Sequence, residues 1–268
     1  MVLRPKFQEG TVDVVLSFLR HHFKETGRRG FVLGMSGGLD SSLVAKLCAD
    51  AIGPGKVLGL SLPERSGGTD EADARSWAKQ LGIGFRVTDI GPIVDSIAKR
   101  LKVPKTDRVG LGNVKARARM IALYQVAHAE ERLVIGTGNK SEIALGYFSK
   151  FGDGGVDFQP IGDLYKTQVR EMARNLGLPR KILEKAPSAG LWRGQTDEGE
   201  LGMTYEELDR ILLGIELKLD AEEIAERADA DVKQVLHVER LVAANAHKRK
   251  APLIPKIGIR TFGSDWRE

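Results

Sequence analysis

A glycine-rich stretch directly follows the first apolar run of the chain and leads into a helical pattern. It comes after Phe31-Val32-Leu33 and comprises Gly34, Met35, Ser36, Gly37, Gly38, Leu39, Asp40, Ser41 and Ser42. A strand, a glycine-rich turn and a helix N-terminus together form an anion site, because backbone N–H groups and the helix dipole both favour negative charge. Adjacent glycines let the backbone approach a polyphosphate with no Cβ in the way. The stretch therefore predicts a phosphate-binding loop.

Asp40 is the unusual member of this loop, because a carboxylate repels phosphate groups. Its presence is explained if it holds a divalent cation. The spacing matches neither the Walker A loop nor the dinucleotide-binding fingerprint. Positions 36–41, SGGLDS, instead resemble the pyrophosphate loop of the PP-loop ATP pyrophosphatases, which cleave ATP to AMP and pyrophosphate. The alternative is a Gly-Ser turn without a ligand, but six matching positions between a strand and a helix favour nucleotide binding.

Composition limits the remaining function classes. The chain has 268 residues, a net charge of +5 and one cysteine, Cys48. Its basic residues are spread along the chain, so we expect an anionic small substrate and no nucleic acid partner. A single cysteine excludes an intramolecular disulfide and a CxxC site, and Cys48 falls among apolar positions typical of a core thiol. No stretch predicts a membrane span or a signal peptide, so we expect a cytoplasmic protein with no membrane partner.

Strand and helix patterns alternate over the first part of the chain. Strands are predicted at 31–35, 57–62, from 85 onward and at 133–136; helices are predicted at 11–26, from 39 onward, at 70–82, 113–129, 204–214, 220–228 and 231–247. The alternation predicts an α/β fold, with a doubly wound, mostly parallel sheet carrying helices on both faces and further helices at the C-terminus. We predict a single domain over residues 1–268, with an α/β core at about 11–186. Residues 187–202 lack periodicity and predict a functional loop before the C-terminal helices, which extend to about 250.

Several later segments also suggest chemistry, although each alone has an ordinary structural explanation. They comprise GMSGGLDS, GNVKARARM, IGTGNKSE, YFSKFGDGGVD, LYKTQV, PSAG and HKR. In this order and spacing they resemble ammonia-dependent NAD synthetases from residue 30 to about 250, and the segment PSAGLWRGQTDEGE resembles the archaeal branch. The resemblance implies a PP-loop fold and a ligase activity. ATP adenylates the nicotinate carboxylate of deamido-NAD, pyrophosphate leaves, and ammonia displaces AMP to give NAD.

The resemblance also implies roles for individual residues. Asp40 and Lys166 are the catalytic candidates, and Asp40 and Glu142 would hold Mg²⁺. Because Asp40 and Glu142 follow neighbouring predicted strands, we expect their carboxylates to converge. Beyond the loop positions 34–41, the resemblance assigns ATP contacts to Thr137, Lys166 and Ser188. It assigns deamido-NAD contacts to Arg117, Lys150, Asp157, His247 and Lys248.

The sequence departs from the bacterial form of the family at several positions, and it leaves alternatives for the oligomeric state and the function. Gly138-Asn139-Lys140 and Ser188 differ from the bacterial pattern, although Ser188 keeps a hydroxyl group. No glutaminase segment is recognisable, which predicts free ammonia as the nitrogen source. The resemblance implies a homodimer, in which helix 113–129 is a candidate interface element; an ordinary core helix is an equal alternative. The runner-up function is a tRNA-modifying PP-loop enzyme, and a nucleotide-binding regulator is a third possibility.

Overall fold

The fold was analysed in a computed structural model, which describes residues 2–64, 66–192 and 194–259. The strands are β1 (Gly30–Gly34), β2 (Val57–Ser61), β3 (Gly84–Val87) and β4 (Arg132–Ile135). The helices are α1 (Thr11–Thr26), α2 (Leu39–Ile52), α3 (Thr69–Leu81), α4 (Gly91–Arg100), α5 (Arg108–Ala129), α6 (Lys140–Leu145), α7 (Lys166–Asn175), α8 (Arg180–Leu183), α9 (Asp197–Leu201), α10 (Tyr205–Glu216), α11 (Ala221–Ala228) and α12 (Val232–Ala244). A short 3-10 turn, Ala246–Lys248, follows α12.

The four strands form one parallel sheet in the order β3-β2-β1-β4. Alternate side chains of β1 face opposite sides of it: Phe31 and Leu33 enter one apolar cluster, and Val32 enters another. The first cluster packs α1, α2, α3 and α7 on one face, whereas the second packs α4 and α5 on the other. The predicted α/β fold with helices on both faces is therefore confirmed.

The C-terminal helices build a third apolar cluster around α10, α11 and α12. Tyr165 and Leu145 belong to the same cluster and lie at the beginning of α7 and the end of α6. Leu3 also joins it, and its backbone N–H donates to the carbonyl of Arg227. The C-terminal helices thus pack against the two short helices that follow the sheet. The division into a core and C-terminal helices within a single domain stays a prediction.

The helices that were not predicted from periodicity include α4 and α9, and α5 is longer than predicted. Helix α4 has ten residues and buries only Gly91 and Val94, so its apolar pattern is too short to stand out. Helix α9 lies inside the segment predicted as an irregular loop, because its five residues span little more than one turn. Helix α5 begins at Arg108 rather than near 113. The Asp107 carboxylate caps this earlier beginning by accepting a hydrogen bond from the Gly110 N–H.

Two further expectations concern α5, as an interface element or a core helix, and Cys48, as a core thiol. Most residues that α5 buries are small, including Ala116 and Ala118, whereas Ile121 is 54% exposed. Cys48 lies on α2 and is completely buried in the first apolar cluster, as the sequence predicts. Burial raises the pKa of its thiol. In the described part of the chain, no helix combines the length and apolarity needed to cross a membrane.

Candidate active site

The predicted phosphate loop connects the end of β1 to the beginning of α2. Gly37 has φ of +74°, and a Cβ there would lie 2.4 Å from the carbonyl oxygen of Asp70, so only glycine fits. The Ser36 N–H donates to the Ser41 hydroxyl, which itself donates to the Gly38 carbonyl. Among the residues that the structure describes, no side chain caps the beginning of α2. The N–H groups of its first turn are therefore available to an anion, as the sequence predicts.

The Lys166 ammonium group lies between two carboxylates at the open end of this loop. Its Nζ donates to Asp40 Oδ2 and lies 3.6 Å from Glu142 Oε1. The lysine side chain is only 3% exposed, whereas each carboxylate side chain is 18% exposed. The two carboxylates predicted to hold a metal ion therefore converge on one cation, which the resemblance had assigned to ATP contact and catalysis.

The parallel sheet brings these side chains together. Strands β1 and β4 are neighbours, and Asp40 lies in the first turn of α2 whereas Glu142 lies in the first turn of α6. Asn139 joins them, because its Nδ2 donates to Asp40 Oδ1 at 3.2 Å and its N–H donates to Glu142 Oε2 at 3.1 Å. Its side-chain oxygen also accepts from the Glu142 N–H and completes a capping box. The departure from the bacterial pattern at residue 139 thus places an amide between the two carboxylates.

Burial and neighbouring charges together set the pKa values of this cluster. Burial raises the pKa of Glu142, and the neighbouring Asp40 charge raises it further, whereas the Lys166 charge opposes both. Burial lowers the pKa of Lys166, but the charges of Asp40 and Glu142 outweigh it and leave the pKa above its usual value. Lys166 is therefore a charged group at neutral pH. It offsets the repulsion between two carboxylates that would otherwise be buried side by side.

A cavity of about 920 Å³ opens from this cluster and is lined by most of the predicted ATP and metal residues. They are Gly34, Met35, Ser36, Gly38, Leu39, Asp40, Ser41, Thr137, Glu142, Lys166 and Ser188. Gly37 does not line the cavity. Its carbonyl accepts a hydrogen bond from the ammonium group of Lys185, and Lys185 does line the cavity. The carboxyl ends of the strands thus share one cavity, as the fold class predicts.

Only one of the five residues predicted to contact deamido-NAD lines the cavity. Lys248 lines the cavity and donates to the carbonyls of Gly146 and Phe148. The other four lie outside the cavity lining; these are Arg117, Lys150, Asp157 and His247. Arg117 donates to the Lys150 carbonyl at 3.2 and 3.3 Å.

Asp157 is engaged by the protein itself. Its Oδ2 accepts from the Val134 N–H at 2.7 Å, and its Oδ1 accepts from the Tyr124 hydroxyl at 3.1 Å. These contacts attach it to β4 and α5 rather than to the cavity. The predicted roles of Asp157, Arg117, Lys150 and His247 stay predictions.

Two charged side chains in the cavity were missed from the sequence. Asp153 lines the cavity, where desolvation by the surrounding protein raises the pKa of its carboxyl group, and Arg119 lines it too, with its pKa lowered by the same cause. Arg119 Nε donates to the Leu62 carbonyl at 3.1 Å. Both lie inside segments that the resemblance singled out, GDGG and ARARM. Only their place in the cavity lining, which the fold reveals, distinguishes them from charged neighbours such as Arg117 and Lys150.

A second missed carboxylate belongs to the segment after Ser188. Asp197 is 3% exposed and lines the cavity. It accepts from the Tyr205 hydroxyl and from the Ala189 N–H, which ties α9 and the PSAG segment to α10. Burial raises the pKa of Asp197, and the Lys166 charge opposes that shift. Its position within the aperiodic segment 187–202 gave no signal in the sequence.

Several known proteins are similar to this chain over most of its length. An NH(3)-dependent NAD(+) synthetase of Pyrococcus furiosus is 47% identical over 91% of this chain and 95% of its own length. One from Methanosarcina acetivorans is 45% identical over 91% of this chain and 96% of its own length. Among solved structures, an NMN synthetase from Francisella tularensis superposes with a TM-score of 0.82 at 35% identity, covering 94% of this chain and all of that chain. An NH3-dependent NAD synthetase from Campylobacter jejuni superposes with a TM-score of 0.79 at 30% identity, with the same coverage.

The family-level comparison covers the sheet, the cavity and the C-terminal helices together. The model of the NAD synthase family matches residues 11–252, a range that begins at α1 and ends after the 3-10 turn. This range includes the glycine loop, the Lys166 cluster and the segment that contains Asp197. By this match, and by relatives of nearly full length, the chain belongs to the NAD synthase family.

Proposed function

We propose that this protein is a ligase that makes NAD from deamido-NAD, ATP and ammonia and releases AMP and pyrophosphate. The observation that carries the proposal is the Lys166 cluster, in which Asp40 and Glu142 converge beside an uncapped glycine loop. Its curated relatives at 44–47% identity are NH(3)-dependent NAD(+) synthetases. None of these comparisons favours the tRNA-modifying alternative.

The chemistry requires a good leaving group on a carboxylate. A free carboxylate is a poor acyl donor because oxide would have to leave, whereas an acyl-adenylate releases AMP. Formation of the adenylate expels pyrophosphate, whose growing charge must be stabilised. The N–H groups at the beginning of α2 and the charged Lys166 are placed to do so. Ammonia then attacks the acyl carbon and AMP leaves.

The carboxylates of Asp40 and Glu142 fit a magnesium ion. Both supply oxygen donors, which Mg²⁺ prefers, and both lie within reach of the same point, which Lys166 Nζ now occupies. Such ions are held by one or two protein carboxylates together with substrate phosphates. Bound there with ATP, the ion would neutralise phosphate charge. Asp40 and Glu142 would orient it, and Asn139 would fix both carboxylates.

Arg119 and Asp153 suggest how the second substrate is received. The Arg119 guanidinium group is fixed through Nε, so its remaining N–H groups can bind an anionic carboxylate or phosphate. Asp153 lines the same cavity, and its raised pKa suits a group that accepts a proton from ammonium before ammonia attacks. We propose these two roles in addition to the contacts predicted for Lys248.

A second subunit would account for the predicted residues that lie outside the cavity. Arg117 lies on α5, which carries the exposed Ile121, and Lys150 precedes the exposed Phe151. We therefore propose a homodimer that joins through the α5 face and completes the deamido-NAD site. The cytoplasmic location expected from the sequence also stays a prediction.

Nicotinate mononucleotide is the second candidate substrate. One structural neighbour is an NMN synthetase, which is 35% identical to this chain. The reaction would be the same at the nicotinate carboxylate and would differ only in the rest of the substrate. Identity of 47% to NAD synthetases over nearly the whole chain favours deamido-NAD. Parallel assays with both substrates distinguish the two.

The first prediction concerns Asp40→Asn. Loss of one strong electrostatic group typically lowers a rate about 10²–10³-fold, so NAD formation from deamido-NAD, ATP and ammonium should fall by this factor. The matched control is Asp50→Asn, on the same helix but paired with Lys46 away from the loop, which should keep the activity. Rates are measured without RNA at saturating Mg²⁺, with thermal melting to confirm folding. Near-normal activity of Asp40→Asn would show that Asp40 has no role in the site.

The second prediction concerns the nitrogen source. Thiolates, not thiols, are the nucleophiles of glutamine-hydrolysing sites, and Cys48 is buried with a raised thiol pKa. Ammonium should therefore support NAD formation, and glutamine should support little, in a preparation free of glutaminase. Cys48→Ser should leave both rates unchanged in folded protein. Equal rates with both donors, with the glutamine rate lost in Cys48→Ser, would reveal an unrecognised amidotransferase.

The third prediction concerns the α5 face. A charge at Ile121, as in Ile121→Glu, should split the dimer because it would bury an unpaired carboxylate at the interface. Sedimentation velocity should show a dimer for the wild type and a monomer for the variant, with weaker deamido-NAD binding in the variant. Val14→Glu, on the exposed side of α1, is the matched control and should stay dimeric. A fully active wild-type monomer would contradict the proposal.

A further inference from the structure

Asp209 is a completely buried carboxylate on α10, outside the lining of the cavity. We propose that it is a positioning residue that fixes Glu142 and Lys166 relative to each other, an inference that rests on the roles proposed above for those two residues. Nothing in the reaction requires Asp209 to touch substrate. Its role lies in the hydrogen bonds through which the C-terminal helices reach the cluster.

Both oxygens of Asp209 bind groups adjacent to the site residues. Oδ1 accepts from the hydroxyl of Ser141, the residue before Glu142. Oδ2 accepts from the N–H of Thr167, the residue after Lys166, at 2.8 Å. The Ser141 hydroxyl oxygen also accepts from the Lys166 N–H at 2.9 Å. One carboxylate and one hydroxyl therefore tie the first turn of α6 to the first turn of α7.

This arrangement decides where the catalytic charges lie. Helices α6 and α7 are short and leave the N–H groups of their first turns without helical partners. The Asp209–Ser141 pair accepts two such N–H groups from α7, those of Lys166 and Thr167. Since Glu142 and Lys166 each sit one residue from this pair, any movement of either helix changes the distance between their charged groups.

Stability alone gives a poor account of a carboxylate at this position. Its neighbours on α10 are the buried apolar side chains Leu208, Ile211 and Leu212. Burying a carboxylate is costly even when it is hydrogen-bonded, and apolar replacements of buried charges are often neutral or stabilising. A carboxylate does offer two acceptors at fixed separation. This feature suits the positioning of two helix ends rather than the filling of a core.

Asp209→Asn changes the hydrogen bonds at residue 209 while nearly keeping the volume of its side chain. The amide has nearly the same shape, but one oxygen becomes an NH₂ group that cannot accept from the Ser141 hydroxyl or the Thr167 N–H. One of the two links is lost, and a buried donor is left without a partner. Ser141→Ala removes the same link from the other side, together with the acceptor of the Lys166 N–H. Leu212→Ala, one turn along α10, weakens the C-terminal cluster without touching the link, and serves as the matched control.

The experiment measures metal binding as well as turnover. Mn²⁺ is titrated by electron paramagnetic resonance in the presence of a non-hydrolysable ATP analogue, and kcat and KM for ATP are measured with Mg²⁺. Changes to residues that orient metal ligands typically cost about 10–100-fold in affinity or activity. Asp209→Asn and Ser141→Ala should each weaken Mn²⁺ binding and lower kcat by such a factor. The double variant should be no worse than the poorer single variant, because both remove one link.

Leu212→Ala should lower the melting temperature while the Mn²⁺ affinity and kcat stay near wild type below the transition. Wild-type Mn²⁺ affinity and kcat in Asp209→Asn, or losses equal to those of Leu212→Ala at matched stability, would overturn the inference. If Asp209→Asn does not fold, Ser141→Ala decides by the same criteria. Failure of the proposed function is distinguishable, because Asp40→Asn would then bind Mn²⁺ as the wild type does.

Discussion

The buried ammonium group of Lys166 is the interaction on which the site depends. Two carboxylates, Asp40 and Glu142, meet at the ends of neighbouring strands, and each would repel the other in a largely buried position. A cation held between them offsets that repulsion. Lys166 comes from α7, which the chain reaches only after leaving the sheet. The active site is thus assembled when α7 docks, and not by the sheet alone.

The surroundings of this ion cluster follow from the same requirement. Asn139 fixes the two carboxylates from the side of β4, and the glycine loop presents uncapped N–H groups beside Asp40. The C-terminal helices approach from the other side, where α10 contacts α6 and α7 through Asp209. The third apolar cluster is therefore part of the architecture of the site. This explains why the family match extends over the whole region rather than over the sheet alone.

The sequence predicts the parts of the site that depend on local pattern. The glycine loop, the four strands and the convergence of Asp40 with Glu142 follow from periodicity, from turn chemistry and from the parallel order of strands. Asp153, Arg119, Asp197 and Asp209 could not be predicted in the same way. Each is a common charged residue, and only its place in the tertiary structure sets it apart. The short helices α4 and α9 were missed because so few turns give little periodicity.

The residues predicted to contact deamido-NAD that lie outside the cavity lining are a different case. Arg117, Lys150, Asp157 and His247 were assigned by resemblance, and a single chain holds them outside the cavity. Sequence pattern carries no information about which surface a second copy covers. The dimer face proposed on α5 rests on the exposed Ile121, whose exposure becomes visible only once the fold separates buried from exposed positions.

The most direct test of the account follows the oxygen atoms of the substrate. Deamido-NAD is labelled with ¹⁸O in both oxygens of the nicotinate carboxylate and converted with ATP and ammonium, and the products are analysed by mass spectrometry. Adenylation in this cleft predicts one ¹⁸O atom in each AMP and the other in the amide of NAD. Unlabelled AMP, with ¹⁸O in pyrophosphate or orthophosphate instead, would contradict it.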